Sequence, residues 1–430
     1  MESIVILGRQ PALGLAEVES LYGADKVQAV GSGHAAIVHV DPCLLAFDRL
    51  GGSTKFCKHL TTLETTNWKE IEKFLVQVAP GHSQRMPEGK MTLGLSTIGL
   101  NIPLRQLEAT GLNIKKVIKK TGRNVRLVPN KSDELNTAQV QHNKLTSPTG
   151  WELYFIRNGD TTIIAQTVKV QDINSYTIRD RERPKRDSRV GMLPPKLAQI
   201  IINLAVGQLP NDTLQNICDI PANQPVPRKY FQQTVLDPFC GTGVVLQEAL
   251  LMGYDAYGTD IEQRMVDYSI ANVHDWFVRK LHPDWSVKST VAKGDATNHT
   301  WLESDWDESK QDTTWQPATI DFVACETYLG RPFTTLPSAE LLNQNISDCN
   351  LIIKKFLKNI HTQLAPGARL CLGVPAWQVK KEQFKHLPLL DSLEELGYNR
   401  VSFEHVRSED LLYYREDQIV ARELLVLIRK

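Results

Sequence analysis

Apolar positions in this chain follow two rhythms: short runs that suit strands, and stripes at helical spacing. The run Ile4-Val5-Ile6-Leu7 predicts a strand over 3–8. From Pro11 to Tyr22, Leu13, Leu15, Val18 and Leu21 fall close to one helical face. Two short strands follow, Val27–Val30 and Ala35–Val40, split by Gly31-Ser32-Gly33. Trp68 to Val78 has helical spacing, Lys90–Thr97 reads as a strand, and Leu104–Lys120 reads as a helix with a basic end. Asn124–Val128 is a further strand, and Asn136–Lys144 a polar helix or turn. Trp151–Arg157 and Thr162–Val168 form a hairpin around Asn158-Gly159-Asp160, a strong turn signal.

The rhythm breaks over 171–195, where Pro184, Gly191, Pro194 and Pro195 interrupt regular structure and predict a linker. Pro195 then suits the first turn of a helix running through Leu204. From Thr234 onward strand and helix alternate, which predicts a parallel sheet with helices on both faces. The strands fall at 234–237, 256–259, 287–292, 320–325 and 369–374, with 401–406 and 423–428 as a closing pair. Helices are expected over 261–277 and 351–363. The expected fold is therefore α/β: a Rossmann-like, mostly parallel seven-stranded sheet over 196–430, preceded by α+β structure. The β-α-β-β order of the start predicts a ferredoxin-like domain over 1–65, with His34 and His39 as structural residues, and a second small domain follows over 66–170.

A chain of 430 residues has room for two or three such domains. It carries 49 basic and 49 acidic side chains, so nucleic-acid contact has to come from local patches. Two patches stand out. Residues 113–131 carry Lys115, Lys116, Lys119, Lys120, Arg123, Arg126 and Lys131 with no acid, which suits a phosphate backbone. Residues 179–189 hold six basic side chains against three acids, among them Arg183, Lys185 and Arg186, and offer a second phosphate contact or a solvated connector. Seven scattered cysteines without a C-x-x-C pair point to a reducing cytosol rather than a disulfide framework. The histidines form no H-x-x-x-H pair, and no metal site is expected. No apolar run reaches the length of a membrane span.

The chemistry concentrates at Asp237-Pro238-Phe239-Cys240-Gly241-Thr242-Gly243, between the run Val235-Leu236 and the helix-spaced Val244 to Leu251. Strand, glycine turn and helix together present backbone N–H groups to a nucleotide. A P-loop needs a lysine after its last glycine, and Val244 stands there. A dinucleotide fingerprint needs a third small residue, and Leu246 stands there. The remaining reading is S-adenosylmethionine (SAM), and the segment resembles motif I of class I SAM-dependent methyltransferases in the form common among enzymes that act on nucleic-acid amino groups. Asp237, Asp260, Asp295 and Glu326 all fall at expected strand ends, where such sheets bind ligands. On this reading Gly241 and Gly243 let backbone approach the cofactor. Asp260, with Ile261 beside it, holds the ribose. Asp295 and Ala296 meet the adenine, and Asp237 and Phe239 favour the sulfonium.

Further segments carry a second resemblance. Val128-Pro-Asn130, Leu135 to Asn143 and Trp151 to Phe155 look like the end of a THUMP domain, an RNA-binding module of tRNA-modifying enzymes. Gly191 to Ala198 and Tyr413 to Leu427 resemble the tRNA guanine-10 N2-methyltransferases. The resemblance implies N2-methylation of a guanine in tRNA, with the N-terminal region gripping the tRNA. In some members of that family a small zinc-binding activator subunit takes part.

In amino-methyltransferases the acceptor motif reads D-P-P-Y or N-P-P-Y. Here the segment is Cys325-Glu326-Thr327-Tyr328-Leu329-Gly330, with an acid but neither proline. Glu326 can accept from the amine and Tyr328 can stack on the base. The extra methylene of Glu over Asp shifts the acceptor by about a bond length, which matters for in-line transfer. Other RNA or DNA amino-methylation, and a silent SAM-binding RNA-binding protein, are the competing readings.

Overall fold

The computed structural model describes residues 2–187, 192–285, 288–302, 317–333, 335–416 and 418–430. Gly191, Arg189 at the end of the basic segment 179–189, and Val287 at the start of the strand expected over 287–292 lie outside the described residues. The chain forms two units. One joins Met1–Asp48 with Gly52–Ile173, and the other joins Arg49–Gly51 with Asn174–Lys430.

The first unit is built on one sheet. Its strands are β1 (Ser3–Leu7), β2 (Val27–Val30), β3 (Ala35–Val38), β4 (Ser53–Leu63), β5 (Met91–Ile98), β6 (Val125–Leu127), β7 (Gly150–Asn158) and β8 (Thr161–Val170), in the order β2-β3-β1-β4-β8-β7-β5-β6. The expected hairpin is present as β7 and β8, paired antiparallel. Helices α1 (Pro11–Tyr22), α2 (Trp68–Arg85), α3 (Leu104–Lys119) and α4 (Thr137–His142) accompany the strands. Leu107, Ile114 and Ile118 of α3 are buried with Ile71 and Leu75 of α2 and with Trp151, Leu153 and Phe155 of β7.

Strand β4 is not among the strands that the apolar pattern predicts, yet it pairs with both β1 and β8. The two small domains expected over 1–65 and 66–170 therefore share one sheet. The apolar alternation of β4 is broken by Lys55, which is 2 % exposed. Its ammonium donates to Glu152 Oε1 and to the Leu135 carbonyl, each at 2.6 Å. Ser96 and Thr167 donate to the same carboxylate at 2.7 Å. A buried charge is tolerated only when paired and hydrogen-bonded in this way.

The second unit contains a doubly wound, Rossmann-like sheet. Its strands are β9 (Thr234–Asp237), β10 (Asp255–Asp260), β11 (Ser289–Lys293), β12 (Phe322–Glu326), β13 (Arg369–Lys380), β14 (Gln383–Lys385), β15 (Tyr398–Arg400), β16 (Leu412–Tyr413) and β17 (Val420–Arg429). The main path runs β11-β10-β9-β12-β13-β17-β15. The first five strands of that path are parallel, and β17 is antiparallel to β13 and β15. The order reverses between β9 and β12, and that switch point is where such sheets open a ligand crevice. The helices are α5 (Ile173–Arg181), α6 (Pro195–Val206), α7 (Asn211–Ile217), α8 (Val244–Leu251), α9 (Gln263–Ile270, continued with wider π-type winding over Ala271–Leu281) and α10 (Ala339–His361).

Three expectations need correction here. The expected linker over 171–195 contains α5, and Arg179 in it forms a buried pair with Glu248 of α8 at 2.8 Å. The closing strand expected at 401–406 lies earlier, at β15. Helix α10 begins at Ala339 rather than 351, capped by Ser338. Its first turns show polar Asn, Gln, Ser and Asp residues, which hide the buried stripe Leu342, Ile346, Cys349 and Ile353. No helix among the described residues is long and apolar enough to cross a membrane.

Candidate active site

Val235 and Leu236 of β9 are fully buried, and the strand delivers Asp237 to the switch point at 2 % exposure. The turn that follows is held from below. Ser269 of α9 donates to the Gly241 carbonyl at 2.8 Å, and Asn272 Nδ2 donates to the Thr242 carbonyl at 2.9 Å. Gly243 has φ +81°, and a Cβ there would stand 2.8 Å from Val273 Cγ2. That position accepts only glycine. Gly241 also has positive φ, at +48°, but the nearest atom to a Cβ would be 4.0 Å away. Its role is conformational, with open space beside it.

Asp260 ends β10 beside this turn. One carboxylate oxygen accepts the Gly241 N–H at 3.0 Å and the other accepts the Glu262 N–H at 2.9 Å. The acid therefore ties the glycine turn to the start of α9 while still lining the cavity. Burial pushes its carboxyl above the usual range, against the two backbone hydrogen bonds. Asp237 is pushed well above that range, chiefly by burial, with Asp260 and Glu326 adding repulsion; the Phe239 N–H at 3.1 Å opposes the shift. Such a carboxyl favours a cation beside it.

Asp295 and Ala296 follow β11 in the same wall. Asp295 Oδ1 accepts from the Thr297 N–H at 2.9 Å and its hydroxyl at 2.8 Å, so the acid also shapes its own turn. Ile261 is 62 % exposed although apolar, and it lines the cavity next to Asp260. Phe239 is half-buried and stands edge-on to Phe356 at 5.2 Å.

Glu326 ends β12 on the same cavity and is not alone. Arg422 of β17 donates from Nε to Glu326 Oε1 at 2.7 Å, with side-chain exposures of 9 % and 15 %. Sequence reasoning missed Arg422. The signal was an Arg-Glu pair inside the otherwise apolar run Val420 to Leu427. After Glu326, the Thr327 N–H and hydroxyl both donate to the Gly373 carbonyl, at 3.0 and 3.1 Å. Gly330 has φ +84°, and a Cβ there would meet the Asn345 amide at 2.5 Å. Asn345 Oδ1 accepts the Arg331 N–H at 2.9 Å. Helix α10 thus fixes the loop after β12, which lacks the two prolines of the expected acceptor motif. Tyr328 is 40 % exposed in the cavity wall, and burial raises its phenol above the ordinary value.

These groups enclose one cavity of about 1050 Å³. That is the upper end of the range for small-molecule sites. Asp237, Phe239, Gly241, Asp260, Ile261, Asp295, Ala296, Glu326 and Tyr328 all line it, whereas Gly243 does not. The residues suit a nucleoside with a cationic sulfur: an apolar ledge at Ile261, acceptors at Asp260 and Asp295, and a buried carboxyl at Asp237.

The basic residues divide. Lys116, Lys119, Lys120 and Arg126 are exposed at and beyond the end of α3, and Lys115 is half-buried. Arg123 instead donates to the carbonyls of Ser83, Met86 and Pro87, capping the end of α2. Arg183 is 3 % exposed and donates to the Thr242 hydroxyl at 3.2 Å, which removes it from an outer phosphate-contacting surface. Lys185 and Arg186 are exposed. The two groups belong to different units.

No protein-family model matches the chain. Over 185 residues it is 25 % identical to the tRNA (guanine(10)-N2)-dimethyltransferase of Methanothermobacter thermautotrophicus, covering 43 % of this chain and 39 % of that protein. Proteins of the same name from Methanocaldococcus jannaschii and Pyrococcus abyssi are each 29 % identical, over 117 residues (27 % of each chain) and 131 residues (30 % of each) respectively. The chain thus spans less than half the length of the curated relatives it matches. Among solved structures, TrmN from Thermus thermophilus aligns over 100 % of both chains, at 13 % identity and a TM-score of 0.48.

Proposed function

We propose that this chain is a SAM-dependent methyltransferase acting on the exocyclic N2 amine of a guanine in tRNA, with the guanine at position 10 as the acceptor. The observation that carries the reading is the convergence of Asp237, Asp260 and Glu326 on one cavity around the Gly241–Gly243 turn. The named relatives support the choice of base and of tRNA.

SAM, when bound, supplies an electrophilic methyl on a cationic sulfur. Asp237 lies buried where a cation offsets its desolvation. Asp260 offers its remaining lone pairs to ribose hydroxyls, and Ile261 covers one face of a flat ring. Glu326 uses Oε1 for Arg422 and keeps Oε2 for the amine. A hydrogen bond from the amine to Oε2 would orient the nitrogen and give its proton an acceptor. Tyr328, on the cavity wall, stacks on a base turned out of its helix. The exposed lysines near the end of α3 contact tRNA phosphates.

Calorimetric titration with SAM and its demethylated product tests the cofactor half of this reading. Micromolar or tighter binding is expected, weakened at least tenfold by Asp260→Ala. Absence of binding by the intact chain contradicts it.

A further inference from the structure

The Glu326–Arg422 pair asks for a reason beyond stability. A nearly buried ion pair roughly breaks even against apolar side chains of similar volume. It joins the ends of two strands at the cavity rather than the core, and both side chains line the cavity wall. Only Nε of Arg422 is engaged with Glu326, and among the described residues its guanidinium makes no other hydrogen bond. Glu423, the next residue on β17, is occupied elsewhere: His386 Nδ1 lies 2.6 Å from one of its oxygens, and Arg400 donates to the other at 3.0 Å. Among the described residues, Glu423 therefore leaves the rest of the Arg422 guanidinium unengaged.

We infer that Arg422 is a specificity-determining residue that reads the O6 atom of the acceptor guanine, while Glu326 accepts from its N1–H and N2–H. This rests on the methyltransferase reading above. The Watson–Crick edge of guanine presents donor, donor, acceptor in the order N2–H, N1–H, O6. Glu326 and Arg422 present acceptor, acceptor, donor in one connected array, because Oε1 has a second lone pair beside the Arg422 hydrogen bond. Adenine presents a donor at N6 and an acceptor at N1, and its N1 lone pair would face a carboxylate oxygen. A site built to hydrogen-bond one pattern rejects the other because its own buried polar groups are left unpaired. The pair thus selects guanine through the same carboxylate that orients the amine. It also gives a role to Glu in place of Asp, since the longer side chain is held by the arginine instead of by a proline-stiffened loop.

The test uses tRNA carrying guanine or 2,6-diaminopurine at the acceptor position. Diaminopurine keeps the N2 amine but replaces O6 by an amino donor and N1–H by an acceptor. For the intact enzyme kcat/KM should favour guanine by about 10- to 100-fold, the range of one bidentate base contact. Arg422→Gln, which can donate or accept, and Arg422→Met, which can do neither, should lower that ratio by at least about threefold through loss of the O6 contact, while Glu326 still disfavours the N1 lone pair of diaminopurine. Their folding is checked by unchanged affinity for SAM. As a reading independent of turnover, inosine-containing tRNA, which keeps O6 and N1–H, should compete better against the intact enzyme than against either variant. If the variants lose both substrates in equal proportion, or if the intact enzyme shows a ratio near one, the inference fails while methylation itself stands. If the intact enzyme methylates neither tRNA, the functional reading fails and takes the inference with it.

Discussion

Asn272 holds Lys185 by both of its peptide groups. Its Oδ1 accepts the Lys185 N–H at 2.9 Å, and its Nδ2 donates to the Lys185 carbonyl at 2.8 Å and to the Thr242 carbonyl at 2.9 Å. A fully buried side chain of the π-wound continuation of α9 thereby ties the segment before α6 to the glycine turn. Asn272→Ala should lower stability by roughly 1–3 kcal/mol, the cost of leaving buried polar groups unsatisfied. It should also weaken SAM binding, because the turn loses its support. Urea denaturation and calorimetry measure both, and a variant with unchanged stability contradicts this account of the turn.

The two glycines of the turn should not respond alike. Alanine at either position costs about 1–2 kcal/mol for left-handed backbone. Gly243→Ala must also displace Val273 or shift α8, whereas Gly241→Ala meets open space. Parallel melts should show the larger loss at Gly243. Equal losses would mean that the approach to Val273 carries no weight.

Asp237 sets a cost on the unliganded protein. Its folded pKa is raised, so its protonated form is favoured in the folded state. The contribution to stability is then fully present below the ordinary carboxylate pKa and is lost as pH rises through the folded value. Asp237→Asn should therefore be more stable than the parent at neutral pH without cofactor, and the difference should shrink toward acid pH. The same variant should bind SAM more weakly. A parent that is equally stable relative to the variant at pH 4 and pH 8 would contradict this.

Much of the second unit was legible in the sequence because most of its parallel strands are apolar runs with an acid at or just beyond their ends. Those runs alone place Asp237, Asp260, Asp295 and Glu326 at strand ends, and the four acids meet in one cavity. What stayed hidden were partners distant in sequence. Arg422 lies 96 residues from Glu326, and Asn272 lies 87 residues from Lys185. Nothing in local pattern reports a contact of that range. Strand β4 was hidden by Lys55, a buried lysine whose neutralising partner Glu152 comes 97 residues later. Arg123 and Arg183 were grouped with exposed cations by charge alone, and only their hydrogen-bond partners, the carbonyls at the end of α2 and the Thr242 hydroxyl, separate them.

That separation can be measured. Lys119→Glu with Lys120→Glu should weaken tRNA binding and flatten its salt dependence by about one to two units of slope, and leave stability within roughly 0.5 kcal/mol. Arg123→Gln should do the reverse: it should lower stability by freeing the carbonyls at the end of α2, with less effect on the salt slope. If Arg123→Gln moves the slope as much as the lysine pair does, Arg123 belongs to the interface.

Methyl transfer to guanine N2 underlies every role assigned to the cavity. The most direct measurement is incubation with methyl-labelled SAM and unmodified tRNA, followed by nuclease digestion and mass spectrometry of the fragments. Label is expected on N2 of a single guanine, at position 10, with a loss of at least about 100-fold for Glu326→Gln, the size of effect seen when one group stabilising the transition state is removed. Label on adenine or cytosine would contradict it. So would binding of SAM and tRNA without any transfer of methyl.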